Sequence, residues 1–356
     1  MYEKDPFDAL QAMRHAQLIA FAPFVFQACR LLRDKGVFAF LDAHRKGVTL
    51  DEVAEGCGLP RYGAQVLLES GLGAGVVLRD ADGRWSLARA GWFLLRDPMT
   101  RVNFDFSQDV CYQGLFELET AIDEGRPAGL STFGDWPTIY EGLMQLPPKV
   151  LESWLAFDHF YSDNAFPEAL RLVFAQKPAH LLDVGGNTGK WALACLKHDP
   201  DVTVTVADLP AQLAKASENV AREGLAGRFV SHPVDLLNPQ SLLPTGQDAV
   251  WMSQFLDCFS EVQVSSILAR AREALAPDGD LWILETCWDR QEHEAAALCL
   301  QQISLYFTAM ANGNSKMFHA PDLVRLIEGV GLCVVEIRDG LGWGHSLFRC
   351  RRAETL

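Results

Sequence analysis

The stretch His180-Leu181-Leu182-Asp183-Val184-Gly185-Gly186-Asn187-Thr188-Gly189 decides the reading of this chain. A short apolar run closes on an acid, a glycine loop follows, and residues 188–198 then show helical spacing. Strand, tight glycine turn and helix form the opening unit of a sheet whose ligands sit beyond the strand ends. Glycines there let the backbone turn sharply and approach a ligand. The loop is not a dinucleotide fingerprint, because G-x-G-x-x-G needs glycine at position 184, which is valine. Asp183 is also a poor neighbour for a pyrophosphate and a good one for a cationic, phosphate-free ligand.

Working outward, the same rhythm repeats to the end of the chain. Strands are expected at 180–184, 202–207, 228–231, 248–252, 280–285, 332–337 and 345–350. Helices fit at 188–198, 210–223, 261–275, 291–311 and 320–330. This alternation implies a Rossmann-like α/β fold, a mostly parallel seven-stranded sheet with helices on both faces.

Two more acids fall at strand ends. Asp208, in Val206-Ala207-Asp208-Leu209-Pro210, is placed to accept hydrogen bonds from both hydroxyls of a ribose. Asp235, in Pro233-Val234-Asp235-Leu236-Leu237, is placed to meet an adenine amine. Any one such acid is more often an ordinary turn or helix-cap residue; three at successive strand ends beside a glycine loop point to a site. A cationic ligand with ribose and adenine and no phosphate is S-adenosylmethionine. The candidate cofactor residues are Asp183, Gly185, Gly186, Gly189, Asp208, Leu209, Asp235, Leu236 and Ser253.

Upstream, three segments are expected: 1–102, a connector over 103–175, and the cofactor-binding domain over 176–356. Apolar residues recur at helical spacing over 31–43, and Thr49 with Glu52 forms a capping box. A second helix over 61–71 and a hairpin around Arg79-Asp80-Ala81-Asp82-Gly83 complete a winged-helix pattern. The helix over 61–71 offers only Arg61 to a base edge and then turns apolar, which suits packing better than a DNA groove. The run Ala16–Ala28 reads as a buried helix pair. Segment 103–175 reads as helical and holds aromatics such as Tyr140, Trp154 and Phe160, as core filling or as the wall of an acceptor pocket.

Composition narrows the partners. With 31 Lys and Arg against 46 Asp and Glu, a formal charge of −15 argues against nucleic acid and anionic membranes. Nine scattered cysteines, without C-x-x-C, form no disulfide framework, and the histidines show no metal-ligand spacing. No secretory leader is evident at Met1-Tyr2-Glu3-Lys4-Asp5, so the cytoplasm is the expected location.

The whole chain resembles the two-domain small-molecule O-methyltransferases, a group including plant caffeate and flavonoid enzymes and bacterial polyketide and phenazine tailoring enzymes. The motifs Asp183–Gly189, Asp208, Asp235 and Ala276-Pro277-Asp278-Gly279-Asp280 carry the resemblance. It implies a winged-helix dimerisation domain, a homodimer, S-adenosylmethionine as cofactor and a small aromatic, phenolic acceptor. Asn187 stands where the family usually has glycine, and Asp257 where the plant enzymes carry a general-base histidine. A supporting late glutamate is missing from Asn312–His319, while Glu285 is retained.

Three readings of the chemistry stay open. Asp257 is the base or orients it; His345 or His319 supplies the base; or the methyl goes to a phenol's ring carbon, where losing the histidine matters less. A phenol has a pKa of about 10, so Asp257 serves only if desolvation raises its basicity. The candidate catalytic set is therefore Asp257, His345 and Glu285. A cofactor-binding regulator and a nicotinamide enzyme are the alternatives, disfavoured by acidic charge and by Val184 respectively.

Overall fold

The computed structural model describes residues 4–353, apart from the side chains at positions 162 and 163. It divides into two compact units, Met1–Ser107 and Gln108–Leu356. The first holds α1 (Ala9–Ala20), α2 (Ala22–Asp34), α3 (Val37–Ala43), α4 (Leu50–Gly56) and α5 (Arg61–Gly73). Next come β1 (Val77–Arg79), β2 (Trp85–Leu87), α6 (Arg89–Arg96) and α7 (Pro98–Phe106). The Thr49–Glu52 capping box is present at the start of α4. β1 and β2 pair antiparallel, Val77 opposite Leu87. Leu32, Phe38, Leu41, Leu68 and Trp85 pack the core of this unit.

Two expectations change here. The helical pattern over 31–43 is split between α2 and α3 by Gly36, whose φ of 76° no continuous helix permits. The run Ala16–Ala28 is not a buried pair within the chain. α1 and α2 meet at a 72° bend, and Met13, Ile19, Phe21 and Phe24 stand exposed. Among the described residues no single helix is long and apolar enough to cross a membrane.

The second unit opens with α8 (Leu118–Glu124), α9 (Ile139–Gly142), α10 (Pro148–Ser162) and α11 (Phe166–Phe174). Then follow β3 (His180–Val184), α12 (Lys190–His198), β4 (Thr203–Asp208), α13 (Pro210–Arg222), β5 (Phe229–Pro233) and β6 (Gln247–Ser253). The chain closes with α14 (Glu261–Ala274), β7 (Leu275–Glu285), α15 (Glu294–Tyr306), α16 (Ala320–Gly329), β8 (Leu332–Leu341) and β9 (His345–Arg352). The sheet order is β5-β4-β3-β6-β7-β9-β8, with β9 antiparallel to both neighbours.

Strands buried on both faces explain the continuous apolar runs. One face packs Leu182, Val250, Ile283 and Phe348 against α14 and α16. The other packs Leu181, Trp251 and Leu284 against α11, α12 and α13. β7 begins earlier than its sequence suggests, since Leu275 already pairs with Gln247. The helix expected over 291–311 starts at Glu294 and ends in a π-helical turn, Phe307–Ala311.

Candidate active site

The glycine loop joins β3 to α12 at the carboxyl edge of the sheet. Gly185 has φ 73° and donates its N–H to the Ala207 carbonyl at 2.9 Å. A side chain there would strike the Phe255 ring, with a Cβ 2.2 Å from its Cδ2. At Gly186 a Cβ would lie 2.5 Å from Asp183 Oδ2, and at Gly189 3.0 Å from Ala216 Cβ. The loop is therefore packed so closely that side chains at these three positions do not fit without movement.

Asn187 explains its own presence. Its φ of 48° is left-handed, a conformation that asparagine tolerates better than other side-chain-bearing residues. Its N–H donates to Asp208 Oδ2 at 2.8 Å, while Asp208 Oδ1 accepts the Leu209 N–H at 2.7 Å. Burial pushes the half-buried Asp208 carboxyl above its ordinary range. Leu209 caps α13 with an exposed side chain.

The remaining candidate cofactor residues occupy different depths. Asp235 is exposed, and its Oδ1 accepts the Leu237 N–H at 2.9 Å. Leu236 turns into the core. Ser253 ends β6 with a buried hydroxyl that has no hydrogen-bond partner. Asp183 lies beneath the loop, 2% exposed, its Oδ2 also without a partner. Burial, then the charge of Asp208, pushes it up to about 8.

These groups fit S-adenosylmethionine. Asp208 ends β4 and Asp235 follows β5, each offering carboxylate acceptors, and the Ser253 hydroxyl has no partner within the protein. Carboxyls at Asp208 and Asp235 suit a ligand that donates hydrogen bonds, not a phosphate.

Beyond β6 the chain turns sharply. Gln254 has φ 45° and donates its N–H to the Leu284 carbonyl at 2.8 Å. The next two N–H groups, of Phe255 and Leu256, donate to Glu285 Oε1 at 3.1 and 2.9 Å. Leu256–Cys258 is a single 3-10 turn that carries Asp257. Asp257 is 5% exposed and Glu285 not at all. Burial pushes the Asp257 carboxyl up to about 6, the Asp158 charge adding to it. Burial and the Asp257 charge push Glu285 well above the carboxylate range, and its Oε2 has no partner.

His345 is not brought to this pair. Glu285 is paired with Ser346 between β7 and β9, so alternation along β9 sends His345 to the other face of the sheet. It is fully buried, and burial lowers its ring to about 4. His319 stands at the N-cap of α16, stacked on Trp288 at 4.8 Å and 3.7 Å from Asp289.

Several groups around Asp257 carry no motif of their own. The Cys258 thiol donates to Asp257 Oδ1 at 3.5 Å and exchanges a hydrogen bond with Tyr140. Tyr306 accepts the Trp154 indole N–H at 2.8 Å. Asn312 donates to the Cys258 carbonyl at 2.7 Å. Tyr140 and Trp154 stood in the aromatic segment flagged by sequence, but nothing in the sequence singles out Cys258 or Asn312.

Comparison with known proteins agrees with this geometry. Residues 13–85 match the Dimerisation2-like domain, and residues 165–331 match the O-methyltransferase domain. The chain is 27% identical over 295 residues, 82% of its length and 75% of the relative's, to demethylspheroidene O-methyltransferase of Cereibacter sphaeroides. It is 35% identical over 109 residues, 31% of each protein, to 3-hydroxy-5-methyl-1-naphthoate 3-O-methyltransferase of Streptomyces sahachiroi. Its structure matches apo SibL, described as an S-adenosylmethionine-dependent methyltransferase, with TM-score 0.71 and 26% identity over 95% of this chain and 98% of that one. The chain carries a Dimerisation2-like domain ahead of an O-methyltransferase domain and is an S-adenosylmethionine-dependent methyltransferase.

Proposed function

We propose that this enzyme methylates a hydroxyl of a small aromatic, phenolic acceptor and that Asp257, paired with Glu285, receives the hydroxyl proton. The observation that carries the reading is the buried carboxyl pair at the ends of β6 and β7. S-adenosylmethionine supplies an electrophilic methyl on a sulfonium leaving group. The protein's share is to hold that group, align the acceptor and take one proton. Alignment in a site closed to water is worth several kcal/mol.

An ordinary aspartate is too weak a base for a phenol. Desolvation moves Asp257 toward the acceptor's range, and the proton held by Glu285 leaves Asp257 the member free to ionise. Asp208 and Asp235 are assigned the ribose hydroxyls and the adenine amine, with Leu209 and Ser253 beside them. Tyr140, Trp154 and Tyr306 flank the acceptor. The naphthoate relative supports an aromatic acceptor.

We further propose a cytoplasmic homodimer joined through the first unit. The exposed apolar side chains of α1 and α2 support this, since a patch of that kind calls for a partner. The acidic excess argues against nucleic acid and membranes as partners.

The test is methyl transfer from S-adenosylmethionine to a panel of hydroxynaphthoates and catechols, with products located by NMR. A methoxy carbon on the product supports the reading. A new ring methyl moves the assignment to carbon. No transfer by protein that binds S-adenosylhomocysteine rejects the phenolic acceptor.

A further inference from the structure

The Asn312 amide is fully engaged. Its Oδ1 accepts the N–H groups of Asn314 and Ser315 at 3.0 and 3.1 Å. Its Nδ2 donates to the Cys258 carbonyl at 2.7 Å and to Ser315 Oγ at 2.8 Å. With two bonds accepted and two donated, only one orientation of the amide satisfies every partner. The side chain therefore holds a turn of its own segment and, through one bond, a turn 54 residues earlier in the chain.

The backbone delivers it there. The π-helical turn Phe307–Ala311 adds a residue to the register, and the N–H groups of Asn312 and Gly313 both return to the Phe307 carbonyl, at 3.1 and 3.0 Å. Insertions of this kind re-aim side chains and occur often at functional sites. Gly313, at φ 85°, lies so close to Arg126 that a Cβ would come within 2.4 Å of its Cα. The segment is clamped on both sides of Asn312.

Its target is the carbonyl of Cys258, the residue after Asp257. The turn Leu256–Cys258 is held at its start by Glu285, which accepts the Phe255 and Leu256 N–H groups. Asn312 holds its end. We propose that Asn312 is a positioning residue, which fixes this turn and so the placement of the Asp257 carboxyl. The proposal rests on the reading of Asp257 as the proton acceptor for its importance, not for its geometry. The titratable groups around Asp257 are Asp158 of α10, Tyr140 beside Cys258, Glu285 of β7 and the Cys258 thiol.

The experiment follows the Asp257 carboxyl by 13C NMR in aspartate-labelled protein across pH, with Asp257→Asn assigning its signal. Asn312→Ala, and Asn312→Ser should the alanine variant fail to fold, are compared with Ser315→Ala. The serine control loosens the same segment and leaves the bond to Cys258. The expected result is a midpoint lowered by about one unit in the Asn312 variants, as water reaches the freed turn. Ser315→Ala leaves it in place, and all variants bind S-adenosylhomocysteine within about two-fold of wild type. An unchanged midpoint, or an equal shift in Ser315→Ala, overturns the proposal. Retained methyl transfer in Asp257→Asn would instead overturn the assignment of the base, and leaves the positioning result standing.

Discussion

Glu285 accepts the N–H of Leu256, the residue before Asp257, at 2.9 Å, and the two acids lie buried beside each other, Glu285 at the end of β7 and Asp257 on the turn that follows β6. One acid thus holds the backbone of the other while opposing its charge. Burial pushes both upward and the Asp257 charge pushes Glu285 further, so the pair sheds its protons in steps.

Asp257→Asn separates stability from chemistry. Asp257 is raised in the fold, to about 6, so the native state loses stability as pH climbs from the unfolded value near 4 through 6. The asparagine variant escapes that loss. Urea unfolding should show it matching wild type near pH 4 and exceeding it by on the order of 2 kcal/mol at pH 8. Its methyl transfer should fall by about two to four orders of magnitude. Wild-type activity should rise with pH through the ionisation of the pair, and a flat profile from pH 5 to 8 would remove Asp257 from the mechanism.

Asp208→Ala should weaken S-adenosylhomocysteine by roughly 100-fold in calorimetric titration, as two charge-assisted hydrogen bonds are lost. Part of the loss comes from Asn187, whose N–H then has no acceptor. An affinity within about three-fold of wild type contradicts the ribose assignment.

Loop substitutions should follow backbone geometry. Asn187→Gly relieves a left-handed residue and should change stability by less than about 0.5 kcal/mol. Gly186→Ala forces a Cβ to 2.5 Å from Asp183 Oδ2, and should cost about 1–3 kcal/mol and cofactor affinity with it. Thermal melts with and without S-adenosylhomocysteine read both, and equal tolerance at the two positions would contradict the packing.

The exposed face of α1 and α2 predicts an assembly. Met13→Glu combined with Ile19→Glu places charge where two apolar side chains stand exposed. Light scattering should find the wild type as a dimer and the double variant as a monomer with its circular dichroism retained. A monomeric wild type ends the proposal of a homodimer.

Much of this was legible in the residues themselves. The strand His180–Val184 and the helix Lys190–His198 follow from local patterning, because burial on both faces leaves an apolar run and a helix leaves its own period. The positions of the three acids were legible for the same reason: Asp183 lies near the end of β3, Asp208 ends β4 and Asp235 follows β5. Asn187 could be flagged as a substitution for glycine, but only the φ of 48° says why asparagine is accepted.

What the tertiary structure alone decided is which distant side chains meet. Asp257 and Glu285 are joined by the adjacency of β6 and β7, a matter of strand order. The same register sends His345 to the opposite face, although sequence placed it among the candidates. Asn312 reaches Cys258 through a π-helical turn that no periodicity announces. Local pattern records the conformation of neighbours in the chain. Desolvation and hydrogen bonding between remote groups arise only when the packed sheet removes water from both, and there the chemistry of Asp257 is set.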